Sequence, residues 1–233
     1  MVFALYRGVW AYLYFTGMSS PCCRYHLFIM VFSLLCMNES LVLGVGASPR
    51  KGGNSDLLLS SFLAGASSAG ADVKEVQLRD LSISSCVGCE ACRKTGACER
   101  FSDDMDALFE DVIEAKGIVL CSPTYNYNVT SMMKTFIDRL YPLYLFWDEN
   151  PRKYSSRLSG QGRKAAVMSV CEQLRLEEIG FSLEAMAMPL EALGYDVLEK
   201  IPVLGHLHKG SVSGDDASLR AAREAGTTLA QSL

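Results

Sequence analysis

Strand-like and helix-like patterns alternate five times between residues 41 and 232, and that alternation limits the fold more than any other feature of the chain. Residues 41–46, LVLGVG, form a short apolar run of the kind needed by a strand covered on both faces. A helix pattern follows from about Asp56 to Gly70, then a second strand over 73–78. Ser102 stands where a helix N-cap belongs, Asp103 and Asp104 suit the positive end of the dipole, and Met105, Leu108, Val112 and Ala115 recur at helical spacing until Gly117. Residues 118–121 make a third strand. Residues 130–141 form an amphipathic helix with Met133, Phe136, Ile137 and Leu140 on one face. The fourth and fifth strands, 165–170 and 195–201, flank a helix over 177–193 that Pro189 should break or kink, and 218–232 closes the chain as a helix. This order predicts a doubly wound α/β sandwich on a parallel sheet. Such sheets bind ligands beyond the carboxyl ends of their strands, where the strand order reverses. The loops 47–55, 81–101, 122–129 and 171–175 are therefore the ones to search.

Composition narrows the function. The chain has 233 residues, 49% of them hydrophobic and 21% charged, enough to bury one large core and too apolar for a disordered chain. A formal net charge of −4 with no Lys/Arg cluster removes the footprint of a nucleic-acid binder. No repeat of 20–50 residues is visible, which excludes solenoids and propellers. Residues 1–37 read apart from the domain over 38–233. Two apolar stretches, 2–15 (interrupted by Arg7) and 27–37, both fall short of the roughly 20 residues a spanning helix needs. Three readings stay open there: a start placed upstream of a true Met37, a membrane-associating helix, or a targeting or unexplained extension. A membrane partner is expected only if 1–37 is real, and the expected compartment is the cytoplasm.

Three of the loops carry chemistry. In 47–55 a strand leads into a helix N-terminus, whose free N–H groups and dipole favour an anion. Ser48, Asn54 and Ser55 add side-chain donors there and Arg50 adds a positive charge. A dinucleotide fingerprint fails because Pro49 stands at its third glycine, and a P-loop fails because Lys51 precedes Gly52. The alternative is an ordinary βα turn. Of nine cysteines, Cys86, Cys89, Cys92 and Cys98 fall in a compact C-x2-C-x2-C-x5-C run at 86–98. Repeated C-x2-C turns aim thiolates at one point, as a [4Fe–4S] cluster requires, and Arg93, Lys94 and Arg100 would offset its charge. Structural zinc and empty thiols are the alternatives. The third loop, Ser122-Pro123-Thr124-Tyr125-Asn126-Tyr127-Asn128, offers amides, hydroxyls and two aromatic rings to a flat heteroaromatic ligand, or else packs as an aromatic loop. Cys121 and Cys171 read as core thiols and His206 and His208 as a solvated pair. Glu172 is open between touching a ligand and capping the next helix. With three histidines and no G-x-S-x-G elbow, a Ser-His-Asp hydrolase has little support.

The segments G-x-G-A-S-P-R-x-G-G-N-S, the four-cysteine run and S-P-T-Y-N-Y-N…K-x-F-I-D-R together resemble the flavodoxin-like NADPH-dependent FMN reductase superfamily, nearest its iron–sulfur flavoprotein branch. The resemblance implies a flavodoxin-like, five-stranded parallel sheet in a three-layer α/β/α sandwich that binds FMN non-covalently. By position, Ser48, Arg50, Asn54 and Ser55 then grip the phosphate, and Pro123, Thr124, Tyr125, Asn126 and Tyr127 line the isoalloxazine. Cys86, Cys89, Cys92 and Cys98 inherit the [4Fe–4S] ligand role. The fourth strand's loop reads Cys171-Glu172-Gln173, unlike the glycine-rich form common in the superfamily.

The implied function is an FMN-dependent oxidoreductase passing electrons between FMN and the cluster, with chemistry carried by the cofactors and not by a catalytic side chain. NAD(P)H or a ferredoxin is the implied redox partner. The implied assembly is a homodimer or homotetramer, with residues 141–163 as the contact. Two rivals remain: an NAD(P)H-dependent FMN or quinone reductase without a cluster, and a non-enzymatic electron carrier or zinc-stabilised binding module.

Overall fold

The computed structural model describes residues 2–6, 9–13 and 41–233, and the chain divides into two units at residues 38 and 39. In the first unit β1 (Val2–Tyr6) and β2 (Val9–Leu13) pair antiparallel, with Val2 opposite Leu13 and Tyr6 opposite Val9. These residues are extended and not helical over both strands. The second apolar stretch, 27–37, lies outside the described residues. No helix among the described residues is long and apolar enough to cross a membrane.

The second unit runs, in chain order, through β3 (Leu41–Gly46), α1 (Asn54–Ser68), β4 (Asp72–Gln77), α2 (Cys92–Thr95), α3 (Met105–Glu114), β5 (Gly117–Pro123) and α4 (Ser131–Arg139). It continues through β6 (Tyr144–Trp147), β7 (Lys153–Ser156), β8 (Lys164–Val170), α5 (Ser182–Ala192), β9 (Asp196–Val203) and α6 (Asp216–Gln231). Five strands form one parallel sheet in the order β4-β3-β5-β8-β9. The order reverses between β3 and β5, whose carboxyl ends lie side by side with Gly46 opposite Cys121. That reversal is where a doubly wound sheet opens a crevice.

Strand side chains alternate between two cores, as a period of two requires. Leu41, Leu43, Val45, Ile118, Leu120 and Val167 pack with Met105, Leu108, Met133, Phe136 and Leu190 of α3, α4 and α5. Val42, Val119, Ala166 and Met168 pack on the other side with Leu58, Phe62, Ala222 and Leu229 of α1 and α6. The result is the expected three-layer sandwich. The α1–α6 contact is unusually close: a Cβ on Gly65 would lie 1.9 Å from the Arg223 carbonyl oxygen, and one on Gly226 would lie 2.0 Å from that of Phe62.

Two local expectations are corrected, and one element is added. Ser102 does not cap α3; the Asp103 carboxylate accepts the Met105 N–H at 3.1 Å instead. The 177–193 helix is broken at Gly180, with φ of +59°, into a short turn (Leu176–Ile179) and α5, and Pro189 stays inside α5. Within 141–163 the antiparallel pair β6–β7 forms a second small sheet.

Candidate functional site

The first loop is shaped by its own short-range hydrogen bonds. Ser48 is buried and its Oγ accepts the Arg50 N–H at 3.2 Å, while the Asp56 carboxylate accepts the Gly52 N–H at 2.7 Å. Arg79 braces the loop from below, donating to Asp56 Oδ1 at 2.9 Å and to the Ser48 carbonyl at 3.0 Å. Gly53 occupies the α1 N-cap position and supplies no side-chain cap. The backbone N–H groups of Asn54, Ser55 and Asp56 consequently have no partner among the described residues. Three unsatisfied donors at the start of a 15-residue helix make an anion cradle.

The third loop closes the opposite wall. Tyr125 and Asn128 exchange backbone hydrogen bonds of 2.7 and 3.0 Å across Asn126 and Tyr127, which adopt φ of +49° and +62°. Two left-handed residues between a bonded pair describe a type I′ turn, and ordinary side chains are strained there. The Thr124 hydroxyl, 3.1 Å from Ser169 Oγ and accepting from Ser182 Oγ at 3.2 Å, ties the loop to β8 and α5.

Ser48, Arg50, Asn54 and Ser55 therefore meet Pro123, Thr124, Tyr125 and Asn126 around one cleft of about 350 Å³. Tyr127 is the exception: its side chain does not line the cleft, and its carbonyl accepts the Phe181 N–H at 2.8 Å. Asn54 also differs from expectation. Its amide donates to the His206 and His208 carbonyls at 3.3 and 3.0 Å and accepts the Val212 N–H at 3.2 Å, so it anchors a wall and is not a spare donor.

That wall, residues 206–209, escaped the sequence reading. Its polar character read as a solvated tail, although it follows a strand's carboxyl end like every other loop on this edge. Arg50 Nη1 donates to the Leu207 carbonyl at 3.1 Å, and Lys209 joins Arg50 at the cleft. Neither cation has a carboxylate partner among the described residues. His206 is held, not solvated: its ring nitrogens lie 3.1 Å from Ser211 Oγ and 3.1 Å from Asp215 Oδ2. Glu172 lines the cleft and caps no helix. Cys121 is fully buried and donates to the Ser55 carbonyl at 3.4 Å, and burial pushes its pKa up. Cys171 is buried as well.

Cys86, Cys89, Cys92 and Cys98 surround a second pocket of about 70 Å³ with Phe101, Arg139 and Tyr141. The chain turns back on itself there through Gly88, Glu90 and Gly96, with φ of +67°, +56° and +76°. Burial pushes the Cys92 thiol up, and Cys98, Cys86 and Cys89 add to the shift. Among the described residues no three Cys, His, Asp or Glu side chains close on a single ion. All four thiols border the same pocket. Arg139, missed by the sequence reading, is buried beside them and paired with Asp103 at 2.8 Å.

Residues 40–178, more than half of the chain, match the model of the NADPH-dependent FMN reductase family. The chain belongs to that family. Within the FMN reductases it is similar to an iron–sulfur flavoprotein from Archaeoglobus fulgidus, 41% identical over 99 residues, a match spanning 42% of this chain and 44% of that one. An iron–sulfur flavoprotein from Methanocaldococcus jannaschii is 27% identical over 192 residues, spanning 82% of this chain and 95% of the other. Among solved structures, the NAD(P)H:quinone oxidoreductase from Methanothermobacter marburgensis superposes with a TM-score of 0.61 at 20% identity, covering 82% of this chain and 98% of that one. An FMN-dependent NADH-azoreductase from Bacillus anthracis in complex with FMN gives 0.61 at 15% identity, with 82% and 99% covered. A flavodoxin from the Archaea gives 0.53 at 17%, with 82% and 96% covered. These likenesses establish the flavodoxin-like fold.

Proposed function

We propose that this FMN reductase family member is an oxidoreductase that holds FMN in the 350 Å³ cleft and a [4Fe–4S] cluster on Cys86, Cys89, Cys92 and Cys98. The observation that carries it is the pairing, across one crevice, of three unsatisfied α1 N–H groups with a strained loop bearing Tyr125. An anion cradle facing an aromatic wall suits a phosphorylated, ring-bearing ligand. The first-turn N–H groups receive the phosphate, Arg50 and Lys209 balance its charge, and the type I′ turn fixes the side chains beside the ring. When bound, FMN supplies two-electron chemistry and the cluster one-electron chemistry. NAD(P)H or a ferredoxin is the redox partner in this reading.

The C-x2-C-x2-C-x5-C spacing, the lining of one pocket by all four cysteines and the likeness to iron–sulfur flavoproteins support a cluster over zinc. The exposed apolar side chains Leu145, Trp147 and Tyr154 on β6 and β7 support a homo-oligomer that buries this surface.

Flavin and iron analysis with a visible spectrum, on protein purified without oxygen, tests the proposal. FMN with about four irons per chain is the expected result. FMN without iron overturns the cluster and leaves an NAD(P)H-driven reductase; protein without FMN overturns the reading of the cleft.

A further inference from the structure

We propose that Arg139 tunes the reduction potential of the group held by the four cysteines, its Nε–H donating to a sulfur in the thiol pocket. The inference rests on the cluster reading given above. The Arg139 side chain is 2% exposed. Its Nη1 donates to the Ser84 carbonyl at 2.8 Å and to Asp103 Oδ2 at 2.8 Å, and its Nη2 donates to Asp103 Oδ1 at 3.1 Å. Its Cζ lies over the Phe101 ring, 5.3 Å from the centroid. The guanidinium is thus held by four contacts from three residues, yet Nε is buried with no hydrogen-bond partner among the described residues. Buried donors of charged groups are rarely left unmet.

The place of that atom decides what it is for. Arg79 Nε is orphaned in the same way but lines neither the cleft nor the thiol pocket. Arg139 lines the thiol pocket together with all four cysteines. The carboxylates bordering that pocket are otherwise engaged or turned outward: Glu90 takes Arg93, Arg152 and Tyr141, Asp138 takes Lys134, and Glu99 is exposed. No thiol sulfur among the described residues accepts from Nε either, so the acceptor is a sulfur of the group that the four cysteines hold. Reduction adds one negative charge without making or breaking a bond, so a donor aimed at sulfur stabilises the reduced state more than the oxidised one and raises the potential. Asp103 neutralises the guanidinium charge as a whole, which leaves the hydrogen bond as the tuning element.

Two variants of the full chain separate this role from a structural one. Arg139→Lys keeps the charge and the reach to Asp103 but has no Nε–H. The double variant Asp103→Asn with Arg139→Gln removes both charges together and leaves the pair neutral. Iron content and spectroelectrochemical titration of the iron chromophore are measured on wild type and both variants, with the flavin potential as internal reference. A variant that keeps its iron should titrate at a more negative potential than wild type, with the flavin potential unmoved. A wild-type potential in an iron-loaded variant overturns the proposal, and so does loss of iron from both variants, which makes Arg139 a brace for the loop. If wild type itself carries no iron, the cluster reading fails first, at the iron analysis, and this inference falls with it.

Discussion

Asp103 holds together a stretch of chain that has little regular structure of its own. Its carboxylate accepts the Ser84 N–H at 2.9 Å, the Met105 N–H at 3.1 Å and two bonds from Arg139. Burial works against the charge, but Arg139 and the two backbone donors outweigh it and hold the Asp103 pKa at about 2. The folded-state value lies below that of an unfolded aspartate, about 3.9, so the stabilisation is complete above pH 4 and is lost as the pH falls towards 2. The pair contributes on the order of 1–2 kcal/mol in this way. Asp103→Asn should therefore lower stability at pH 7 by at least that amount, since it also leaves the buried Arg139 guanidinium without its counter-charge, and flatten the acid limb between pH 4 and 2, read by urea denaturation across pH. In the sequence Asp103 looked like a helix-dipole residue, which is a local reading. Its partner is 36 residues away on α4, and no local pattern records such a pair. The role of Asn54 escapes local patterns for the same reason, because the carbonyls that occupy its amide come from a loop more than 150 residues downstream.

Elements were easier to read than pairs, because periodicity is local. All five strands of the main sheet, and α1, α3, α4 and α6, fall within a few residues of where apolar spacing placed them. Two exceptions have physical causes. Gly180 breaks the 177–193 helix because its left-handed backbone lets it pack on Tyr127, a contact to which the sequence gives no clue. The β6–β7 pair is short and half exposed, so it shows no buried run. Helix propensity also hides the α1–α6 contact. Alanine in place of Gly226 would gain about 1 kcal/mol of helix propensity. Its Cβ would meet the Phe62 carbonyl oxygen at 2.0 Å, a backbone atom that moves only if the helices separate. The clash should win: Gly226→Ala is expected to destabilise by about 2–3 kcal/mol net, lowering the melting temperature by several degrees.

At the scale of the whole molecule, the sheet keeps the cleft and the thiol pocket on separate supports. The cleft is built from the loops after β3, β5, β8 and β9, whereas the thiol pocket grows from the segment after β4 and leans on α4. The two lining sets share no residue. If the support is divided in this way, damage to one site should leave the other loaded, and the converse pair of variants tests that directly. Cys89→Ala removes an exposed thiol of the proposed ligand set, so it should abolish iron binding while FMN affinity stays at the wild-type value. Arg50→Glu with Lys209→Glu reverses two exposed charges facing the α1 N-terminus. That should weaken FMN binding by about 100-fold, near 3 kcal/mol, and by less at high salt, where screening shortens the reach of both charges. Iron content should not change. Full iron in Cys89→Ala would remove Cys89 from the ligand set, and a joint loss of flavin and iron in either variant would show that the two loops fold as one unit.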